Sequence, residues 1–139
     1  MNPNSFHRLK RCRHGHFLYN VNDLYIGKSL DLYGEFSELE LHLLGQWIRP
    51  GDVVLDVGAN VGTHCVFFAR QVGPAGRVLA FEPQRLTFQM LCANIALNDL
   101  TNVDCRQAAV GRTPGEILVP YLDPLRQQNF GGLALGQFE

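Results

Sequence analysis

Two short apolar runs without polar alternation stand out in the chain, at positions 53–57 and 77–82. Runs of this kind are typical of strands that are buried on both faces, as in parallel sheets. A third strand is expected over about 103–108, and helices over about 63–71 and 86–97 fill the intervals. This alternation predicts right-handed crossovers and an open parallel sheet covered by helices, which is an α/β fold.

A hairpin is predicted near the N-terminus, where two β-rich runs, 16–21 and 24–27, flank Asn22 and Asp23. The stretch before it, positions 7–16, is rich in Lys, Arg and His. A phosphate-binding arm is one interpretation, but no aromatic interleaving or nucleic-acid motif accompanies these basic residues. We therefore expect a solvated basic leader.

A helix is predicted from Ser37 to the Pro50–Gly51 pair, which ends it. Ser37 and Glu40 have the spacing of a capping box, in which a serine and a glutamate satisfy the first amides of a helix. One face of this helix is expected to hold the apolar residues Phe36, Leu39, Leu43, Leu44, Trp47 and Ile48.

After Gly111 the pattern changes. A short strand is predicted at 116–119, and the loop 129–133 is expected to lead to another. Three parallel strands with two helices form only half of a sheet, with one long exposed edge. The pattern therefore indicates a truncated domain.

Composition narrows the class of protein. The 139 residues are 46% hydrophobic and 18% charged, which is enough apolar material for one core and argues against a disordered chain. The net charge of −1 creates no field that would recruit nucleic acid or anionic lipid. No apolar run approaches the roughly 20 residues that span a bilayer, and the N-terminus lacks the apolar core of a secretory signal. We expect a cytoplasmic protein with no membrane or nucleic-acid partner.

The cysteines are expected to be free, buried thiols. Their positions form no C-x-x-C pair and have no nearby histidine at the spacing of metal ligands. The sequence therefore predicts no metal site.

The residues with candidate chemistry lie where the first two strands of the sheet end. Asp56 ends the first strand, a glycine loop runs from Gly58 to Gly62, and Glu82 ends the second strand, 20 positions after Gly62. Ligands of open parallel sheets bind at this edge. The glycines let the backbone approach a ligand, and the next helix directs its amides at the gap. Glu82 is placed to accept both hydroxyls of a ribose.

Two classes of cofactor fit a glycine loop followed by a ribose carboxylate. Dinucleotide loops have the pattern G-x-G-x-x-G, whereas this loop is G-x-N-x-G and follows Asp56. Unit charges about 4 Å apart interact by roughly 4 kcal/mol at an effective dielectric of about 20. An anion here would repel a pyrophosphate and attract the amino group and sulfonium of S-adenosylmethionine. The alternative is that both acids cap the helices that follow them and that the glycines only shape turns.

Five blocks of the sequence form a pattern when they are taken together. They are Y-G-E-F-S-E at 33–38, P-G-D-V-V-L-D-V-G-A-N-V-G at 50–62, A-F-E-P at 80–83, A-A-V-G at 108–111 and N-F-G-G at 129–132. This pattern resembles the FkbM family of S-adenosylmethionine-dependent methyltransferases. The resemblance implies a Rossmann-like class I methyltransferase fold, with residues 1–32 as a basic leader and hairpin and residues 33–139 as a partial Rossmann-like domain. Family members continue with further strands and an acidic block, so the resemblance also implies a truncated chain.

The resemblance implies S-adenosylmethionine as the cofactor and assigns site residues by position. They are Asp56, Gly58, Asn60 and Gly62 at the methionine end, Glu82 at the ribose, Thr63 and His64 at the start of the next helix, Glu35 above the pocket, and Gln107 and Ala108 beside the adenine.

The reaction implied by the resemblance is methyl transfer to a hydroxyl of a sugar or natural product, so the partner would be a small-molecule or carbohydrate acceptor. The hydroxyl must also lose its proton to a His, Asp or Glu. His64, Glu35 and Asp104 are candidates, and no motif identifies one of them as the base. Two alternatives stay open: a truncated, non-catalytic nucleotide-binding or interaction module, and an NAD-type dehydrogenase, which Asp56 and Asn60 disfavour.

Overall fold

The computed structural model of the chain describes residues 5–135. In this range the chain forms an antiparallel hairpin, four helices and a three-stranded parallel sheet. The elements are, in chain order, β1 (His7–Cys12), β2 (Gly15–Asn20), α1 (Ile26–Tyr33), α2 (Glu38–Gly45), β3 (Val53–Val57), α3 (Thr63–Val72), β4 (Arg77–Phe81), α4 (Arg85–Leu97) and β5 (Val103–Arg106). The predicted α/β fold with a parallel sheet and an N-terminal hairpin is confirmed.

The parallel sheet has the strand order β3-β4-β5, so α3 and α4 each connect neighbouring strands. Val54, Val78 and Val103 lie side by side in this register, and Val78 is fully buried. Both helices pack on this face, because successive right-handed crossovers in one direction place their helices on the same side of a sheet. The core therefore lies between the sheet and these two helices.

The opposite face of β3 is uncovered in the part of the chain that the structure describes. Val53, Leu55 and Val57 remain 62%, 59% and 58% exposed. The prediction that this strand is buried on both faces is therefore wrong within residues 5–135. The reason is that both crossover helices lie on the other side of the sheet.

The hairpin lies earlier in the chain than predicted. The basic stretch forms β1 and pairs with β2, and the turn falls at Arg13 and His14. The run 24–27, predicted as the second strand, instead leads into α1. The cause is the buried carboxylate of Asp23, which accepts a hydrogen bond of 2.9 Å from the N–H of Gly27 and so favours the start of a helix.

The basic stretch forms β1 and the turn after it instead of a separate leader, although the side chains of Arg8 and Arg13 stay exposed, as predicted. Lys10 Nζ donates a hydrogen bond of 2.7 Å to the backbone carbonyl of Asp31, at the end of α1 where the helix dipole favours a cation. Arg8 forms an ion pair with the Asp31 carboxylate, and Arg13 forms one with Glu35. These contacts fix the hairpin against α1.

Helix α2 is shorter than predicted and buries a partly different face. Ser37 precedes it in the left-handed conformation (φ 57°), and its hydroxyl donates to the Glu40 carboxylate instead of capping a backbone amide. Leu41 is buried, whereas Leu39 and Trp47, on the predicted apolar face, are 89% and 69% exposed. The prediction of the buried face is therefore right for Phe36, Leu44 and Ile48, which pack against the core. It is wrong for Leu39, Leu43 and Trp47, which are exposed.

Residues 107–135 contain no strand longer than a single bridge, so the strands predicted there are absent from the described part of the chain. Instead, residues 123–132, which we call the strap, cross back to the turn between β2 and α1. The side-chain amides of Asn20 and Asn22 each donate a hydrogen bond of 3.0 Å to the carbonyl of Pro124. The strap is thus held by the N-terminal part of the chain.

The side chain of Asn94 joins α4 to the edge of β2. Its Oδ1 accepts a hydrogen bond from Leu18 N–H at 2.6 Å, and its Nδ2 donates to the carbonyls of Leu18 at 3.0 Å and Val61 at 2.7 Å. One helical turn later, Asn98 repeats the pattern on the N–H and carbonyl of His16. The two amides therefore take the place of a neighbouring strand and close an otherwise open sheet edge.

No helix within residues 5–135 has the length and apolarity needed to cross a membrane. The four cysteines are free thiols, as predicted, and Cys65 is buried. The other three are half-buried, so the prediction that all are buried holds only for Cys65.

We expect Asn94→Ala to lower the free energy of unfolding by about 2–4 kcal/mol, because it leaves the N–H of Leu18 and the carbonyl of Val61 without partners in the interior. Asn98→Ala is the matched control: its bonds to His16 are exposed to water, so its cost should stay below about 1 kcal/mol. Urea unfolding followed by circular dichroism measures both. Equal losses for the two variants would contradict the special role of the buried amide.

Candidate functional site

The glycine loop between β3 and α3 adopts a conformation that ordinary residues avoid. Gly58, Asn60 and Gly62 have φ values of 82°, 52° and 89°. A Cβ on Gly62 would lie 2.7 Å from a methyl of Leu91, so glycine is required there for packing as well as for conformation. The N–H groups of Gly58 and Ala59 both donate to the carbonyl of Phe81, at 2.9 Å each. The loop is therefore anchored to the end of β4.

Glu82 holds the loop from the other side. Its carboxylate is buried, and its two oxygens accept hydrogen bonds from the backbone N–H of Asn60 at 3.0 Å and of Gln84 at 2.9 Å. Burial raises the pKa of Glu82, and the two N–H donors and nearby Asp56 modify that shift without reversing it. The hydrogen bond from Gln84 also supports the start of α4. Glu82 therefore has the structural role at the start of a helix that the alternative interpretation predicted, whether or not it also binds a ligand.

Asp56 is in a different situation. Its Oδ2 is shielded from solvent and has no hydrogen-bond partner among the residues that the structure describes. Burial raises the pKa of Asp56 to about 6, against a smaller lowering effect of the nearby His64. A buried carboxylate oxygen without a partner is costly, so such a group in a native fold needs an explanation, and the binding of a cationic ligand is one.

A cavity of about 200 Å³ opens at the edge of the sheet where β3 and β4 end. Four of the predicted site residues line it, namely Gly58, Asn60, Glu82 and Ala108. A larger cavity of about 450 Å³ adjoins it and is lined by Gln107 together with Ala108. The predicted ribose carboxylate and the predicted loop are thus brought to one opening.

The other predicted site residues lie outside the smaller cavity. Thr63 is buried at the start of α3, and His64 Nε2 lies 3.1 Å from Glu40 Oε2 on α2. The carboxylate of Glu35 lies 2.9 Å from Arg13 Nε. Asp56 lies two residues before Gly58 and Gly62 two residues after Asn60, and neither of them lines the cavity. Cofactor roles for these residues stay predictions.

Some residues of the cavity had no signal in the sequence pattern. Gln84, Gly131 and Leu133 line it beside Glu82. Gly131 belongs to the N-F-G-G block, to which the resemblance assigned no role. Gln84 follows the A-F-E-P block, and a single polar residue before a helix has no distinctive spacing.

Within residues 5–135, no group of three or more His, Cys, Asp or Glu side chains has the geometry of a metal site. Glu82 is also the one titratable side chain among those lining the 200 Å³ cavity in the described residues. The cavity offers a carboxylate, amides and backbone groups between apolar walls, which suits a polar organic ligand.

Known structures share this fold. The chain resembles Trm5b from Pyrococcus abyssi with a TM-score of 0.58 and 22% identity, over 76% of this chain and 29% of that one. It resembles an S-adenosylmethionine-dependent O-methyltransferase from Thermotoga maritima with a TM-score of 0.50 and 18% identity, over 73% of this chain and 40% of that one. At these identities the likeness concerns the fold, which is the Rossmann-like fold of S-adenosylmethionine-dependent methyltransferases.

Sequence relatives are methyltransferases that are much longer than the matched segment. A 31-O-demethyl-FK506 methyltransferase from Streptomyces tacrolimicus is 44% identical over 69 residues, which is 49% of this chain and 26% of the relative. An arsenite methyltransferase from Halobacterium salinarum is 35% identical over 67 residues, which is 48% of this chain and 17% of the relative. The match therefore spans about a quarter or less of each relative's length.

The family comparison covers more of the chain and includes the glycine loop, Glu82 and the whole strap. Residues 56–136 match the methyltransferase FkbM domain. Because this match extends over more than half of the sequence, the chain belongs to the FkbM methyltransferase family.

Proposed function

We propose that this chain is the cofactor-binding part of a methyltransferase that uses S-adenosylmethionine. The observation that carries the proposal is the buried Oδ2 of Asp56, which has no partner in the described chain. Asp56 stands two residues before the first glycine of the loop. A cationic ligand at the loop would compensate the charge that burial otherwise penalises. Family membership and the Rossmann-like fold support the same cofactor.

Charge distinguishes this cofactor from a dinucleotide. Asp56 and Glu82 place two carboxylates at the ends of neighbouring strands, and no Lys or Arg in residues 5–135 lines the 200 Å³ cavity. Glu82, which lines the cavity, and the nearby Asp56 would both disfavour a pyrophosphate, whereas the ammonium and sulfonium of S-adenosylmethionine would be attracted to them. The acidic site therefore favours S-adenosylmethionine over NAD.

The cofactor roles that we propose follow the geometry of the cavity. Glu82 accepts the ribose hydroxyls, since it lines the same cavity as the loop residues Gly58 and Asn60. Those two hold the methionine end, and Ala108 lies at the adenine. We assign the remaining predicted residues to the surroundings of the cofactor: Asp56, Gly62, Thr63, His64, Glu35 and Gln107.

In the reaction, S-adenosylmethionine supplies a methyl group on a positively charged sulfur. The chain's own part is to orient this donor and to exclude water, because the methyl, the sulfur and the acceptor oxygen must be collinear. The cavity-lining residues Gly58, Asn60 and Glu82 fix the position of the donor, and Asp56 favours the charged donor over a neutral product.

We propose a small-molecule acceptor with a hydroxyl group, such as a sugar or natural product. The relative named for 31-O-demethyl-FK506 supports an oxygen acceptor on a natural product. The net charge of −1 and the pairing of Arg8 and Arg13 with carboxylates support an acceptor other than nucleic acid. One solved structure with a similar fold is that of a Trm5 in complex with tRNA. The proposal of a small-molecule acceptor therefore has to be tested against RNA as the acceptor.

A non-catalytic cofactor-binding module is the second candidate. Its support is that Glu82, which is engaged by two backbone amides, is the one titratable group lining the cavity within residues 5–135. An assay with labelled S-adenosylmethionine and hydroxylated acceptors separates the two candidates: methyl incorporation requires the enzyme, and binding without incorporation indicates the module.

We expect the chain to bind S-adenosylhomocysteine in isothermal titration calorimetry and Glu82→Gln to weaken this binding about 10- to 100-fold, because hydrogen bonds to a charged carboxylate contribute about 1.5–3 kcal/mol. Glu116→Gln, which neutralises an exposed glutamate, is the matched control and should leave the affinity unchanged. Binding of NAD but not of S-adenosylhomocysteine would refute the assignment.

Cofactor affinity should increase as the pH rises from about 5 to 7. Asp56 has a pKa of about 6 in the folded chain and must lose its proton to attract the cationic cofactor. Calorimetry across this range measures the dependence, with Asp56→Asn as the comparison. If the pH dependence is the same in this variant, Asp56 is not the group responsible.

Asp56→Asn should also stabilise the chain without ligand, but only above pH 4. The folded pKa of about 6 lies above the ordinary value of 3.8, so the ionised carboxylate destabilises the fold progressively as the pH rises from about 4 to 6. The gain should reach up to about 3 kcal/mol at pH 8, at about 1.4 kcal/mol per pKa unit. Urea unfolding at pH 4 and pH 8 tests this, and an equal effect at both values would contradict it.

A further inference from the structure

The strap ends in a tight turn that lies against the cofactor cavity. Asn129 Oδ1 accepts hydrogen bonds from the N–H groups of Gly131 at 3.0 Å and Gly132 at 2.8 Å. Phe130, between Asn129 and Gly131, is buried, with only 6% of its surface exposed. The turn is therefore a defined structure, closed by its own side chain and anchored by a buried aromatic ring.

Gln84 attaches this turn to the residue that we assign to the ribose. Its side-chain Nε2 donates a hydrogen bond of 2.6 Å to the carbonyl of Phe130, while its backbone N–H donates to Glu82 Oε1 at 2.9 Å. One residue thus connects the buried carboxylate with the strap, over 46 positions of sequence.

The turn also approaches the glycine loop closely. A Cβ on Gly131 would lie 3.1 Å from Asn60 Nδ2, which is closer than an ordinary van der Waals contact. The backbone of the strap therefore passes directly beside the side chain of this loop residue. The N–H of the same Asn60 donates to Glu82. Gly131, Asn60 and Glu82 all line the 200 Å³ cavity.

The contact between Gln84 and Phe130 also separates the two cavities. Both cavities include Gln84, but Phe130 lines only the larger one and Gly131 only the smaller one. The turn thus stands between them and forms a wall of the smaller cavity.

We propose that the turn 129–132 is the outer wall of the cofactor site and that Gln84 positions it around the nucleoside half of S-adenosylmethionine. This proposal rests on the proposed function. The nucleoside half is indicated because the wall faces Glu82 and Ala108, whereas Asp56 does not line the cavity. The apolar side chain of Leu133 continues the wall and offers a surface for a purine ring.

The residue before the turn is fixed by the N-terminal part of the chain. Gln128 N–H donates to the carbonyl of Asn22, and the N–H of Leu24 donates to the carbonyl of Gln128, both at 3.1 Å. The wall is therefore anchored at Gln128 and at Phe130 before ligand binds, which reduces the conformational entropy lost on binding.

The experiment compares two ligands on the whole chain by calorimetry. S-adenosylhomocysteine contains the nucleoside and the amino acid, and 5′-methylthioadenosine contains the nucleoside without the amino acid. We expect Gln84→Ala to weaken both ligands by the same factor, about three- to tenfold, because one neutral hydrogen bond positions the wall. Gln127→Ala, an exposed glutamine in the same strap, is the control and should change neither affinity. Asp56→Asn should weaken S-adenosylhomocysteine alone, since 5′-methylthioadenosine has no charged amino group.

A second variant protects the test against simple unfolding. Gly131→Ala keeps the bond from Gln84 and adds a methyl group next to Asn60, and it should weaken both ligands to a similar extent with an unchanged melting temperature. If the parent chain binds neither ligand, the proposed function fails. If the parent chain binds both and the Gln84 and Gly131 variants bind as tightly, or lose affinity for S-adenosylhomocysteine alone, the wall is refuted and the proposed function stands.

Discussion

The fully buried amide of Asn94 is the interaction on which the arrangement of the chain depends. Its hydrogen bonds join the edge of β2 at Leu18 with the end of the glycine loop at Val61, both from one position on α4. An amide side chain is suited to this task because it offers a donor and an acceptor in the same spacing as a peptide group. Asn94 thus attaches the hairpin to α4, and it attaches the glycine loop beside the cavity to the same helix.

The two carboxylates at the ends of β3 and β4 show how the same chemistry has different consequences. Glu82 is satisfied by backbone amides and acts as a structural link between the loop and α4. Asp56 has one oxygen with no partner in the described chain, and its pKa is raised by burial. A buried carboxylate without a full set of partners lowers the stability of the fold but keeps a negative charge available. Groups of this kind are common at sites that recognise a ligand.

The βαβαβ core could be predicted from the sequence because each part of its pattern is local: apolar runs form strands, and Gly58 and Gly62 mark the loop. The hairpin could not be placed, since the β-rich run 24–27 is converted to a helix start by a single carboxylate, that of Asp23. Likewise, Asn94 was recognisable only as a polar residue on the apolar side of a helix. Its partner strand lies 76 positions away, and no local pattern encodes a contact over that distance.

The attachment of the strap to the hairpin has a consequence for the order of folding. Asn20 and Pro124 meet across 104 positions of sequence, so their contact closes a long loop, whereas the hairpin and the crossovers form between near neighbours. Loop closure costs entropy that is recovered only when distant partners meet, and such contacts therefore form late. In a chain that leaves the ribosome from its N-terminus, the 200 Å³ cavity lacks the part of its lining that Gly131 and Leu133 supply until those residues have emerged. The cavity is thus complete only after synthesis has passed that point.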